Sequence, residues 1–207
     1  MVPGLWGAPL KALSGFIPPS TTQEFNLNDL QYKIGNATGV SPSAGPQAEA
    51  PKKYTNKLHV PFGLTAYFDL EEGTAAAKIL KKPVMLDFTG HTCPNCRKME
   101  EQVWKDPAVL SRIKQNFVLV SLYVDETEEL PINEQYTDKN GVIIETVGGK
   151  NLDYEIKTFG FNAQPLYMFL DLNGKPLSDV KYGYDPSVAG FIKHLDAVKA
   201  AFDAANK

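Results

Sequence analysis

The chain has 207 residues with 21 basic and 24 acidic side chains, a net charge of −3. That balance leaves no basic footprint for nucleic acid, and 43% hydrophobic with 22% charged residues is the composition of a soluble globular protein. Two cysteines are too few for a disulfide-stapled scaffold, and one pair falls short of the four Cys or His ligands of a structural zinc site.

Residues 1–19 are apolar but broken by Gly and Pro, too interrupted to span a membrane, and they lack the basic start of a signal peptide. Trp6, Leu10, Leu13, Phe16 and Ile17 can line one face of a membrane-surface segment. A disordered chain end and the tail of a longer membrane protein just past its last span are the other two readings. Residues 20–60 are rich in Ser, Thr, Asn, Gly, Pro and Ala and show no apolar period, so they read as a flexible linker. Eight of the fifteen prolines precede residue 62, which puts the domain boundary near Pro61 and one domain over 61–207.

Asp69 with Glu72 three residues on marks a helix start; Lys81, Lys82 and Pro83 end that helix. Val84 to Phe88 reads as a strand apolar on both faces except at Asp87, as in a covered central position. A helix follows from Pro94 to about Trp104, a second short one after Asp106-Pro107, and then a strand over Phe117 to Val124. Residues 125–150 are acidic and turn-rich, an insertion near the site end of the sheet with a short strand at Val142 to Val147. Asn151 to Phe159 is expected to be helical, and Leu166 to Leu170 a strand joined by Asn173-Gly174 to a partner at 176–182. Asp185-Pro186 opens a last helix, whose stripe of Val188, Phe191, Ile192, Leu195, Val198 and Phe202 is core packing. With the two helices around Asp106 counted as one crossover, the order is α-β-α-β-α-β-β-α. It predicts an α/β fold with a central mixed sheet flanked by helices, behind an N-terminal extension.

The chemistry lies in Cys93-Pro94-Asn95-Cys96, the only cysteines, placed between a strand and a helix. Thiol–disulfide exchange needs an attainable thiolate and a second thiol to resolve the mixed disulfide. Cys93 at the helix N-cap has free N–H groups to stabilise S⁻ and is the attacking sulfur; Cys96, nearly a turn inside, resolves. Two reduced core cysteines, or a metal site of Cys93, Cys96 and His91, are the competing readings. Burial of Asp87 raises its pKa and suits it to exchange a proton with Cys96; an Asp bonded to nearby backbone at a strand end is the alternative. Glu100, four residues after Cys96, shares its helix face and raises the thiol pKa by like-charge repulsion, or is one more solvated acid beside Glu101. His91 and Thr92 shape access to the thiol from a surface loop, and Arg97 reads as solvated. Gln164-Pro165 opens a strand beside the site.

The run from Asp87 through Thr89-Gly90-His91-Thr92-Cys93-Pro94-Asn95-Cys96 to Glu100 carries a resemblance, with Val103-Trp104-Lys105-Asp106-Pro107 after it and Asn162-Ala163-Gln164-Pro165 later. Together these resemble the C-terminal periplasmic domain of DsbD-type thiol:disulfide interchange proteins, transmembrane reductases of cytochrome c-type biogenesis, over about residues 61–207. Pro3 to Leu10 is similar to the end of that family's membrane portion. The resemblance implies a thioredoxin-like fold, Cys93 as nucleophile, Cys96 as resolver, and Asp87 and Glu100 as acids tuning the thiols. It implies a cis Pro165 facing the disulfide, with Gln164, Thr92, Pro94 and Asn95 on the surface that meets an incoming chain. It further implies a protein-disulfide reductase with no cofactor beyond the Cys93–Cys96 disulfide and no metal. Electrons would pass from cytosolic thioredoxin through a membrane-embedded redox domain to another periplasmic thiol–disulfide domain, the chain being tethered to the inner membrane. Thr92, where most thioredoxins have tryptophan, and the long acidic insertion depart from the pattern and bear on the partner. A secreted oxidase or isomerase, and a non-enzymatic metal- or partner-binding module, are the alternative functions on the same fold.

Overall fold

A computed structural model of the protein describes residues 48–177 and 181–206. The apolar segment 1–19 and most of the expected linker lie outside them. Packing begins before Pro61: Leu58 is 1% exposed and joins Phe62 and Leu64 in a core cluster. The Glu72 carboxylate also accepts from the backbone N–H groups of Lys52 and Lys53. The last stretch of the expected linker therefore belongs to the folded unit. Burying one such leucine contributes roughly 1.5–3 kcal/mol, enough to hold a short polar segment down.

Four strands make the central sheet: β1 (Ala66–Tyr67), β2 (Val84–Thr89), β3 (Val118–Tyr123) and β6 (Leu166–Leu170), in the order β1-β3-β2-β6. β2 and β3 run parallel, with Val84 opposite Val118 and Thr89 opposite Tyr123; β6 is antiparallel to β2. Every residue of β2 and β3 is buried, which is why both are nearly unbroken apolar runs. Side chains alternate across the sheet. Val84, Leu86 and Phe88 enter one core cluster, with Ala76, Ala77 and Met168, while Met85 enters the other, with Met99, Trp104, Phe169 and Phe191. Asp87 is in register with Met85 and so points into the second of these layers.

Helix α1 (Leu70–Leu80) starts where the Asp69 carboxylate accepts from Glu72 N–H at 3.0 Å, and ends at left-handed Lys81 before Pro83. Helix α2 (Pro94–Met99) has Pro94 in its first turn and runs on as a π-helical stretch over Glu100–Trp104. Helix α3 (Pro107–Asn116) is capped by Asp106. Between β3 and the next helix lie a 3-10 turn (Ile132–Glu134) and a small antiparallel pair, β4 (Tyr136–Thr137) with β5 (Ile143–Ile144). The strand expected at Val142 to Val147 is thus shorter. Its end is taken by helix α4 (Val147–Phe159), which is capped by Thr146 and starts four residues earlier than Asn151. After β6, the returning segment pairs with it through isolated bridges at Leu170 with Pro176 and Tyr167 with Tyr182 among the described residues. Helix α5 (Val188–Ala205) is capped by Ser187 rather than opened by Asp185-Pro186, and buries Phe191, Leu195, Val198 and Phe202. The mixed sheet flanked by helices is the architecture the resemblance implied.

Candidate active site

The site grows from the C-terminal end of β2. Its last residue, Thr89, is followed by Gly90, His91 and Thr92, and then Cys93 at the N-cap of α2. Cys93 keeps an extended backbone (φ −87°, ψ 100°), so its sulfur stands at the mouth of the helix while Pro94 begins the first turn. Cys93 and Cys96 are joined in a disulfide, their Cα atoms 5.3 Å apart. The pair is therefore not two reduced core thiols. The sulfurs are unequal: Cys93 is half-buried, and Cys96 is 2% exposed. Cys96 N–H donates to Cys93 Sγ at 3.1 Å. Thr92 and Pro94 are exposed beside it and Asn95 is half-buried.

Behind the disulfide lies a buried polar layer. Asp87 accepts from the Ser121 hydroxyl at 2.9 Å, its opposite number on β3. Burial pushes the Asp87 carboxyl up to about 6 against the opposing pull of Ser121 and of the Arg97 charge. Glu100 is buried too, and burial lifts its carboxyl to about 8; Arg97 opposes the shift, while the charges of Asp87 and Glu101 add to it. Arg97 is not solvated, as its polarity suggested, but 7% exposed. Its Nη2 sits 2.8 Å from Glu100 Oε1 and donates to Thr89 Oγ1 at 3.1 Å. One guanidinium among two buried carboxyls balances one negative charge, so Asp87 and Glu100 together hold one proton near neutral pH. A buried acid of this kind can take up and return a thiol proton.

The outer side of the Gly90–Thr92 turn is held by the first residues of the insertion. Asp125 Oδ1 accepts from His91 N–H at 2.8 Å, and Asp125 Oδ2 accepts from Thr92 N–H and Thr92 Oγ1, both at 3.1 Å. His91 Nε2 lies 3.0 Å from Glu126 Oε2, and its ring rests on Tyr123 at 4.7 Å between centroids. On the third side, the Gln164-Pro165 peptide bond is cis and Pro165 is buried. The pairing of Phe88 with Leu166 brings it to the same end of the sheet. Glu155 of α4, fully buried, accepts from Ala163 N–H and from Gln164 Nε2, each at 2.9 Å. Ser121, Asp125, Glu126 and Glu155 escaped the sequence reading, and Arg97 was read only as solvated. For Asp125 and Glu126 a signal existed, because the parallel pairing of β2 with β3 sets the residues after one strand beside those after the other. Among the described residues no three His, Cys, Asp or Glu side chains gather to hold a metal ion.

The model of the thioredoxin-like domain family matches residues 70–199. The chain belongs to the thioredoxin-like domain family. Within it the chain is 28% identical over 130 residues to the thiol:disulfide interchange proteins DsbD of Vibrio vulnificus strains CMCP6 and YJ016, a stretch covering 63% of this chain and 18% of each of theirs. The chain thus spans a small part of the curated relatives it matches. It is also similar to the solution structure of a Thermus thermophilus thioredoxin, with 23% identity, TM-score 0.49, and 70% of this chain and 93% of that one covered. Against a DsbH oxidoreductase the identity is 19% and the TM-score 0.47, with 83% and 98% covered. A thioredoxin-like domain with a C-x-x-C disulfide at a helix N-cap is a thiol–disulfide oxidoreductase, and its fold is the thioredoxin-like α/β fold.

Proposed function

We propose that this domain is a protein-disulfide reductase. In this reading it takes electrons from a membrane-embedded redox domain and passes them to another thiol–disulfide domain in the periplasm, tethered to the inner membrane through the chain that precedes it. The observation that carries the reading is the unequal disulfide backed by two buried acids. In the reduced state Cys93, the accessible sulfur, attacks a partner disulfide; an S–S bond forms between Cys93 and the partner as the partner's own S–S bond breaks, and the freed partner sulfur takes a proton. Cys96 then attacks Cys93 Sγ, the mixed disulfide breaks, and the partner's second sulfur leaves and is protonated. Two electrons and two protons have passed to the partner. Asp87 takes the proton of Cys96 in the second step, and Glu100 keeps Cys96 from ionising early. Thr92, Pro94, Asn95, Gln164 and Pro165 form the surface that meets the partner chain.

The resemblance of the Asp87–Glu100 run to DsbD-type proteins favours a reductant over an oxidase or isomerase. The deciding measurement is the reduction potential: a value near about −270 mV fits a reductant, and one near roughly −120 mV would sink the reading. Cys93→Ser should abolish transfer, and Cys96→Ser should trap a mixed disulfide with the partner. No helix among the described residues is long and apolar enough to cross a membrane.

A further inference from the structure

A thiolate is favoured by N–H donors and cations around it and disfavoured by anions. The turn ahead of Cys93 carries three features that would favour one: the N–H groups of His91 and Thr92, and the His91 imidazole. Each is taken. The N–H groups donate to the two oxygens of Asp125, and the imidazole faces Glu126. Neither acid is free to drift. Val124 N–H donates to Thr89 O at 2.9 Å, Gly148 N–H to Glu126 O at 2.9 Å, and Val147 N–H to Glu128 O at 2.8 Å. Glu126 Oε1 also accepts from Glu128 N–H. Gly90 makes the close approach possible, since a Cβ there would come within 2.9 Å of Asp125 Oδ2.

We propose that Asp125 and Glu126, the first residues of the insertion, are positioning residues that withhold stabilisation from the Cys93 thiolate and so make the domain a stronger reductant. The two effects of Asp125 have the same sign: its carboxylate occupies the N–H groups, and its negative charge sits on Thr92, the neighbour of Cys93. Glu126 works alongside it by occupying His91 Nε2 and adding a second negative charge beside the turn. Burial works against ionisation of Glu126, but the His91 side chain and the Glu128 N–H outweigh it and hold the carboxyl below its ordinary range. Asp87, Arg97 and Glu100 are buried, the last two on the helix that carries the buried Cys96, so the insertion bears on Cys93 and the buried acids on Cys96.

The inference rests on the reading of the domain as an exchange protein, and its test is kept apart from that reading. The full chain is equilibrated with reduced and oxidised glutathione, whose disulfide takes two electrons and two protons from the Cys93–Cys96 dithiol and leaves as two thiols. Thiolate absorbance against pH gives the Cys93 pKa separately. At a pH above the Cys93 pKa of both proteins, D125A should shift the equilibrium about tenfold toward the dithiol, about 30 mV, with a Cys93 pKa lower by about one unit. D125N, which keeps an acceptor but loses the charge, should fall between D125A and wild type, and E126Q should move the same way. Should D125A not fold, D125N and E126Q carry the test, because equilibrium and thiolate pKa are read on folded protein. Unchanged values in D125N and E126Q, or shifts toward the disulfide, would overturn the proposal. A strongly oxidising wild type would instead sink the reductase reading and leave the variant shifts to decide this one.

Discussion

Arg97 and Glu100 form an ion pair at 2.8 Å one layer behind the disulfide, with both side chains about nine-tenths out of water. The pair is an i,i+3 contact at the point where α2 passes into its π-helical stretch. Removing Arg97 alone leaves the charge of the two buried acids unbalanced in a low-dielectric setting. Arg97→Met, similar in volume, should destabilise the oxidised protein by about 3 kcal/mol in urea denaturation. Arg97→Met with Glu100→Gln should recover part of that loss, because Asp87 is then the one acid left in the layer and can keep its proton. A single variant as stable as wild type would show that the guanidinium balances nothing.

The same layer makes stability depend on pH in a definite direction. Asp87 and Glu100 hold their protons in the folded state up to about 6 and about 8, against ordinary values of 3.8 and 4.5. Folded protein therefore binds more protons than unfolded protein between those limits, and the slope of unfolding free energy with pH is negative there. Stability from these groups is fully present below about pH 4 and is lost as pH rises toward 8. Glu100→Gln removes one titration, so its stability relative to wild type should rise between pH 5 and 8, by at most about 1.4 kcal/mol per pH unit. Denaturation curves of the two proteins that run parallel across this range would contradict the assignment.

What could be read from residues alone was local. Asp69, Pro83 and Asp106-Pro107 act within a few residues of themselves, and each marks the helix boundary it announced. The covered strand Val84 to Phe88 was legible because burial on both faces leaves an unbroken apolar run, and the disulfide because two cysteines were all there were. Arg97 was not legible. Its burial depends on Thr89 of a neighbouring strand and on two acids that need a counter-charge, and no helical period marks it. Gly148 and Gly149 belong to the stretch 125–150 that reads as turn-rich, yet both lie in the first turn of α4. Asp125 and Glu126 were counted as part of an acidic stretch, since their partners stand more than thirty residues away.

Glu155 is the clearest case of a buried acid used for position. It is fully buried, and its two oxygens separately hold Ala163 N–H and Gln164 Nε2 just ahead of the cis proline. Glu155→Ala leaves two donors short of an acceptor and opens a cavity, so it should cost about 1–3 kcal/mol. It should also slow exchange with a protein disulfide while leaving the glutathione equilibrium within about twofold of wild type, because neither sulfur is touched. A large change in that equilibrium would place Glu155 in the redox chemistry itself.

Gly148 tests how the insertion is anchored. At the first turn of α4 a Cβ on this residue would come within 2.6 Å of Glu126 N and O and 2.8 Å of Val124 O, all backbone atoms that cannot swing aside. The glycine is thus required by the crossing of two chain segments, not by a turn. Gly148→Ala should push the helix start away from Glu126, lengthen the Gly148 N–H to Glu126 O bond, and cost about 1–3 kcal/mol. Displacement of Glu126 would also loosen its contact with His91, so amide exchange of His91 and Thr92 should quicken in the variant. Unaltered protection of those two amides, with stability lost, would mean that the crossing supports the fold but not the turn before Cys93.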